Sequence, residues 1–422
     1  MDGNEARLSS DFWKFWVGQT VSKLGDSISW FALPLLVFKL TGSALNLGLT
    51  TAAQFVPYLL FGLFIGAYVD RVQRKRMMVF TDLGRMTVMA SVPLLATFGL
   101  LHVWWIYAVA FISSTQAIFF DSGEFAAIPS LVSRDDLVTA NGRIQASYSA
   151  AQVVGPLVGG ALLAVNAVYN LIWVDACSFA LSAASIAWVK KSFNEEPADE
   201  TKEPTTIMHD VKEGLTYVLS HPVLRNISIM MALVNFVAAT TYTQLVLFAK
   251  DRLAATDSQV GMLFAAGSAG IVVTGLVAGK LRKRWSFSRV ALGALFTSGL
   301  FILFLSMARQ IWVAIPLWAA ASGLGILFNI NTGSLRQAIV PNRLLGRVMS
   351  IASVLAWSAI PVGALLGGYL IETTGRPALV YAGIGIITAI IPVAFSLTAL
   401  GHAEDYLPET PASEEEDLAP VT

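Results

Sequence analysis

The stretch Gly66-Ala-Tyr-Val-Asp-Arg-Val-Gln-Arg-Lys-Arg76 closes a long apolar run and enters a strongly basic turn. Gly275-Leu-Val-Ala-Gly-Lys-Leu-Arg-Lys-Arg284 does the same 209 residues later. A second pair, Gly155-Pro-Leu-Val-Gly-Gly160 and Gly363-Ala-Leu-Leu-Gly-Gly368, is separated by 208 residues. In a chain of 422 residues, recurrence at half the length marks a duplicated unit. The first pair falls in the second and eighth apolar runs, the second pair in the fifth and eleventh. Each unit therefore holds six runs. Because six is even, both units share one orientation about an axis along the membrane normal, and a site is expected between them near the midplane.

Working outward, twelve runs meet the length of about 20 apolar residues that a membrane-spanning helix requires. They cover Phe12–Phe38, Leu45–Val69, Met77–Phe98, Val103–Phe120, Ile144–Val165 and Leu171–Val189, then Ile227–Phe248, Val260–Leu281, Val290–Met307, Ile311–Ile330, Val348–Ile371 and Ala378–Leu400. The predicted fold is an all-α membrane protein of two six-helix repeats. Residues 1–189 form the first half, 190–225 a linker, 226–400 the second half and 401–422 an acidic, disordered tail. In the linker Val211, Leu215, Val218 and Leu219 share one helical face, the pattern of an amphipathic helix on the membrane face, within a segment that reads first as a structural hinge between the halves. The first eleven residues carry Asp2, Glu5, Arg7 and Asp11, and no small-residue cleavage site ends the first run, so no cleaved signal peptide is expected.

Composition agrees. Hydrophobic residues make 55% and charged residues 13%, with 33 glycines, and mean hydropathy is +0.64; soluble domains carry about 25% charged residues. Lys plus Arg number 28 and Asp plus Glu 28, so no basic surface for nucleic acid is expected. Of the basic residues, 21 fall in loops on one side of the spans and five on the other, which places both termini in the cytoplasm of a cell membrane. Cys177 is the one cysteine and can make no intrachain disulfide. Gly275 to Lys280 lacks the spacing and the following Ser or Thr of a phosphate loop, and there is no His-Glu-x-x-His. The expectation is a monomeric protein, not an enzyme, without metal or organic cofactor, that meets membrane lipid and a small-molecule substrate.

The first span carries the most telling polar residues. Gln19, Ser22, Lys23, Asp26, Ser29 and Trp30 recur at helical spacing. Lys23 and Asp26 facing lipid would cost roughly 5–7 kcal/mol, so the stripe is expected to line a cavity. Asp26 could exchange a proton or contact substrate; a permanently paired couple is the other reading. Asp82 and Arg85 read as an ion pair near the cytoplasmic end of span three, Asp121 and Glu124 as water-reached groups at the end of span four with gate contact as the other reading, and Asp175 as solvated by the outer interface.

These residues resemble the major facilitator superfamily over nearly the whole chain. Gly66-x-x-x-Asp70-Arg71-x-x-Arg74-Lys75-Arg76 resembles its loop signature between helices two and three, with Gln73 in place of a usual glycine. Gly142, then Ala151, then Gly155-Pro156-x-x-Gly159-Gly160 resembles the antiporter signature of proton-linked drug exporters, Ala151 replacing one glycine. Ser22-Lys-Leu-Gly-Asp26 and Leu40-Thr-Gly-Ser43 are similar to the branch of macrolide and siderophore exporters. The resemblance implies alternating-access efflux of an amphipathic molecule by proton antiport, with the proton gradient as energy source. An Arg found in the fourth helix of many drug antiporters is absent from Ser113 to Phe120. It further implies a cytoplasmic latch at Asp70 and a cavity lined by helices one, four, seven and ten. On those helices Trp30, Phe31, Gln116, Asn235, Tyr242, Gln244 and Asn329 are the candidate substrate contacts. A metabolite importer or facilitator of the same fold, or a membrane receptor without flux, are the alternatives.

Overall fold

The computed structural model describes residues 8–69, 71–133, 136–163, 167–194 and 207–406. Asp70 and the tail beyond Tyr406 lie outside the described residues, as does the linker stretch 195–206.

The first half comprises α1 (Ser10–Thr41), α2 (Ala44–Val69), α3 (Arg74–Thr97), α4 (Val103–Leu131), α5 (Leu137–Leu162) and α6 (Leu171–Trp188). Then comes α7 (Ile207–Ser220). The second half holds α8 (Pro222–Thr243), continued by the short α9 (Leu245–Leu247) and a π turn over Phe248–Arg252. It goes on through α10 (Asp257–Arg284), α11 (Phe287–Met307), α12 (Ile311–Ile339), α13 (Asn342–Trp357), α14 (Ala359–Thr374) and α15 (Pro377–Ser396). Helices α13 and α14 break at Ser358 and together make the eleventh span. Among the described residues, eleven helical stretches are long and apolar enough to cross a membrane. The fifth span, α5, misses that measure through Gln145, Ser147, Ser149, Gln152 and its glycines, yet its 26 residues suffice in length.

Ends are set by local chemistry. The Ser9 hydroxyl accepts from the Phe12 amide to start α1, and Gly42 ends it at φ 61°, a left-handed position that a side chain would strain. Thr256 and Gln259 form a reciprocal capping box at α10.

The duplication is visible in how glycines are used. A methyl on Gly155 would meet Ser27 and one on Gly159 would meet Phe31, so α5 lies close on α1. In the second half Gly363 meets the Phe236 carbonyl and Gly367 meets Thr240, so α14 lies on α8 in the same way. The next glycine of each tract turns to the opposite half, Gly160 against Gly261 of α10 and Gly368 against Ala44 of α2. Small residues let these backbones approach.

The halves are clasped at the end away from the basic loops. Lys39 pairs with Asp257, which also receives Lys250. The Glu372 carboxylate accepts from the Ser43 hydroxyl at 3.1 Å and the Ala44 amide at 2.8 Å, capping α2 from the other half. Gln244 donates to the Ala44 carbonyl at 2.8 Å and Ser258 to the Gly160 carbonyl at 3.0 Å.

Two expectations are corrected. The apolar face of α7 is taken up in part by protein: Val218 is buried in a cluster with Leu344, Val348 and Ile351 of α13, while Leu219 stays 49% exposed. Residues 401–406 are not a free tail. Ala403 is fully buried, and the Glu404 carboxylate accepts from the Phe287 amide, which caps α11.

Candidate substrate cavity

A cavity of about 550 Å³ lies mid-bundle between the halves. Its two walls differ in chemistry. The wall from the first half carries Lys23, Asp26, Arg85, Asp121 and Asp175, with Tyr58, Ser113, Ser114 and Gln152. The wall from the second half carries Tyr242, Phe264, Trp318 and Ser322 and, among the described residues, no charged one.

Asp26 is held by Arg85 of α3, with its Oδ1 2.7 Å from Nη2. Lys23, 3.8 Å from Asp26, lies nearer to Asp121 of α4 at 3.3 Å and sits over the Tyr148 ring at 5.0 Å. Arg85 is 7% exposed and stacks on the Phe179 ring at 4.0 Å, a contact that offsets part of the loss of its hydration. Glu124 is buried and accepts a hydrogen bond from the Tyr148 hydroxyl. Asp175 is 1% exposed and is met by the Ser178 hydroxyl. Asp82 is fully buried beside Ser182, with no hydrogen bond formed to either carboxylate oxygen. Among the described residues this region sets the carboxylates of Asp26, Asp82, Asp121, Glu124 and Asp175 against the cations of Lys23 and Arg85 alone.

The facing wall is built by close approach. Gly267 leaves room for the Trp318 indole against α10, where a methyl would come within 2.5 Å of Nε1. Trp318 in turn packs edge-to-face on Tyr242 at 5.0 Å.

Several sequence readings change here. Arg85 pairs with Asp26, not with Asp82. It lies eleven residues inside α3, about 16 Å along the axis, so it is not at the end of the span. Glu124 is not solvated, and Asp175, though one turn from the start of α6, faces the cavity and not the outer interface. Of the candidate substrate contacts, Trp30 and Tyr242 are in the cavity wall. Phe31 is fully buried against Phe264. Gln116 fills the space beside Gly84, Asn235 donates to the Ala356 carbonyl, Gln244 belongs to the clasp, and Asn329 is exposed outside the wall. Pro156 reaches the cavity edge, while Gly142 stands open with no atom within 4 Å. In the basic motif Gly66 lies in the last turn of α2, which runs to Val69, and Arg71 is exposed. Arg74 is buried and donates to the Phe193 carbonyl at 3.2 Å, pinning α3 within its own half. The sequence reading also missed Trp318, which one aromatic in an apolar run could not reveal. Arg85 and Asp175 did carry a signal, since charges inside spans are rare and face interiors.

Comparisons with known proteins agree with this architecture. Residues 6–419 match the family described as transmembrane secretion effectors. Macrolide efflux protein A of Streptococcus pyogenes is 24% identical over 367 residues, 86% of this chain and 90% of that protein. The multidrug efflux pump Tap of Mycolicibacterium fortuitum is 28% identical over 388 residues, 87% and 92% of the two chains. Among solved structures, an inward-facing, unoccupied bacterial homolog of the human lysosomal transporter Spinster superposes with a TM-score of 0.71 at 14% identity, covering 95% of this chain and 98% of that one. The nucleoside transporter NupG gives 0.75 at 10% identity, covering 92% and 99%. With a family match over nearly its full length and a twelve-span, twice-repeated helical fold, the chain belongs to the transmembrane secretion effectors of the major facilitator superfamily.

Proposed function

We propose that this protein is a secondary active exporter that moves an amphipathic small molecule, of drug, macrolide or siderophore type, out of the cell in exchange for protons. The observation that carries the reading is the two-faced cavity. Its aromatic wall of Tyr242, Phe264 and Trp318 suits an apolar body, and the opposite wall holds more carboxylates than cations. An exchanger needs groups whose protonation differs with occupancy. The excess carboxylate around Lys23 and Arg85 is such a set, with Asp26 and Asp121 open to the cavity. The efflux relatives support the direction of transport. The basic loops face the cytoplasm in this reading, so the clasp at Glu372 closes the outer end and the cavity is reached from inside. Asp70 and Arg71 would latch the opposite end when the cavity opens outward.

The test uses purified protein in proteoliposomes with an imposed pH gradient, with a macrolide and an aromatic cationic dye as probes. Counterflow of probe against protons, abolished by a protonophore, is expected. Flux indifferent to the pH gradient would make the protein a facilitator. Accumulation in energised cells would make it an importer, and saturable binding without flux a receptor.

A further inference from the structure

A second cavity, of about 720 Å³, lies at the basic end of the first half, far from the central one. It is bounded by the turn into α3 and by the exit of α6. Its rim carries Arg71, Lys75 and Arg76, and its inner wall is Val72, Val79, Phe80, Ala187 and Phe193. The volume is within the roughly 300–1,000 Å³ of small-molecule sites.

The pocket is preformed. Phe193 is fully buried against Phe15, ring centroids 5.8 Å apart. Asn194 accepts from the Arg74 amide at 3.0 Å and donates to the Val72 carbonyl at 2.8 Å, which ties the segment after α6 to the start of α3. Lys75 donates to the Val189 carbonyl at 2.5 Å. Against this fixed floor, the guanidinium groups of Arg71 and Arg76 are exposed and have no hydrogen-bond or ion-pair partner among the described residues. Below them the wall turns apolar and opens sideways: Phe80 is 72% exposed, and Trp188, next to Ala187 but outside the wall, is 76% exposed. Orientation during insertion requires positive charge in this loop, but it does not require a walled pocket or a bare phenyl ring beside it.

We propose that this pocket binds an anionic phospholipid, the phosphate between Arg71 and Arg76 and the acyl chains over Phe80 and Ala187. Guanidinium groups recognise phosphate by paired hydrogen bonds. Charge above and apolar surface below match the two ends of a lipid standing in the leaflet that meets the basic loops. The site shares Arg71 with the latch of the exporter reading, but lipid retention is counted without flux, so the failure of one reading is distinguishable from the failure of the other.

The experiment counts lipids on the full chain by native mass spectrometry after reconstitution in phosphatidylcholine nanodiscs carrying a graded fraction of phosphatidylglycerol. The parent is expected to retain phosphatidylglycerol over phosphatidylcholine. The double variant Arg71→Gln/Arg76→Gln should bind it about 30-fold more weakly, from the contribution of two basic residues at a membrane surface. Arg289→Gln, at the same end but outside the pocket, should leave it unchanged. Ala187→Trp fills the pocket without touching charge and should also reduce retention, which keeps the test decisive if the double variant folds poorly. Equal loss in Arg289→Gln, or none in either pocket variant, would overturn the proposal. So would displacement of the lipid by millimolar inorganic phosphate, which would make the site one for a free anion.

Discussion

Removing Glu372 should tilt the protein away from the state in which the clasp is closed. The carboxylate accepts from the Ser43 hydroxyl and the Ala44 amide, with a longer approach to the Leu45 amide at 3.4 Å. These are the unsatisfied donors of the first turn of α2, so Glu372 is a cap supplied across the seam. A lost cap costs about 1 kcal/mol, and a negative charge at a helix N-terminus contributes about 0.3–1 kcal/mol more at an exposed site. The contacts exist only while the halves meet at this end, so the whole loss falls on that state. A penalty of about 1–2 kcal/mol is a factor of roughly 5–30 in the equilibrium. If the parent is about 99% closed there, a tenfold shift raises the open population to about 9%. Nitroxide labels on Cys at Leu100 and Arg309, exposed on loops of the two halves at this end, read the populations as two distance peaks in a Cys177→Ser background. Glu372→Ala should enlarge the long-distance peak by that factor. Glu372→Gln keeps an acceptor but loses the charge and should fall between. Unchanged peaks in both variants would refute the idea that this cap holds the end closed.

Asp26→Asn should remove proton-driven flux and also lower thermal stability by roughly 3 kcal/mol, because buried Arg85 loses the partner at 2.7 Å; adding Arg85→Gln should recover stability but not flux. Proton-driven flux at the parental rate in Asp26→Asn would move the exchange to Asp121 or Glu124. Gly363→Ala drives a methyl into the Phe236 carbonyl oxygen, a backbone atom that cannot turn aside, and should lower the free energy of unfolding by about 1–3 kcal/mol or abolish folding. Gly142→Ala and Gly275→Ala meet nothing within 4 Å and should be neutral or gain up to about 1 kcal/mol. For orientation, Cys at Ala254 should react with an impermeant thiol reagent from outside intact cells, and Cys at Ser286 only after permeabilisation; the reverse pattern would invert the topology.

What the sequence conveys is what has a period or a length. Spans, the six-plus-six duplication and the glycine tracts are local patterns, and each survives in the structure as a helix or a helix contact. Partner choice is not local. Arg85 lies three residues from Asp82, the usual distance for a helical pair, yet it reaches across to Asp26 on α1, because both face the interior between α1, α3 and α6. Asp175 illustrates the same limit in depth: counting residues from the span end predicts water, but α1 and α3 close over it. The amphipathic face of α7 was legible, while the identity of the surface it meets depended on where α13 falls. Trp30 and Tyr242 were found through the resemblance, and Trp318 opposite them was not, since its place depends on a glycine in another helix.

The seams between the halves bear on how an exchange cycle can be both cooperative and inexpensive. Gly160 on Gly261, Gly48 on the Ala364 carbonyl and Gly368 on Ala44 are backbone-to-backbone contacts that leave no side chain to disengage at those points. Phe31 on Phe264 and Tyr58 on Trp357 are aromatic pairs that must part when one half rolls on the other. Side-chain bonds between the halves gather at one end instead, at Lys39, Glu372, Gln244 and Ser258. At about 0.5–1.5 kcal/mol for each hydrogen bond, that set amounts to a few kcal/mol. Moving a two-state equilibrium from 1:99 to 99:1 needs about 5.5 kcal/mol of differential binding, the same order. A proton or a substrate charge entering among Asp26, Asp121 and Lys23 acts on an imbalanced cluster open to the cavity, where one elementary charge at contact distance is worth up to about 4 kcal/mol at an effective dielectric near 20. In the proposed cycle the occupant of the cavity can therefore offset the polar clasp, which is the part of the seam that responds to charge.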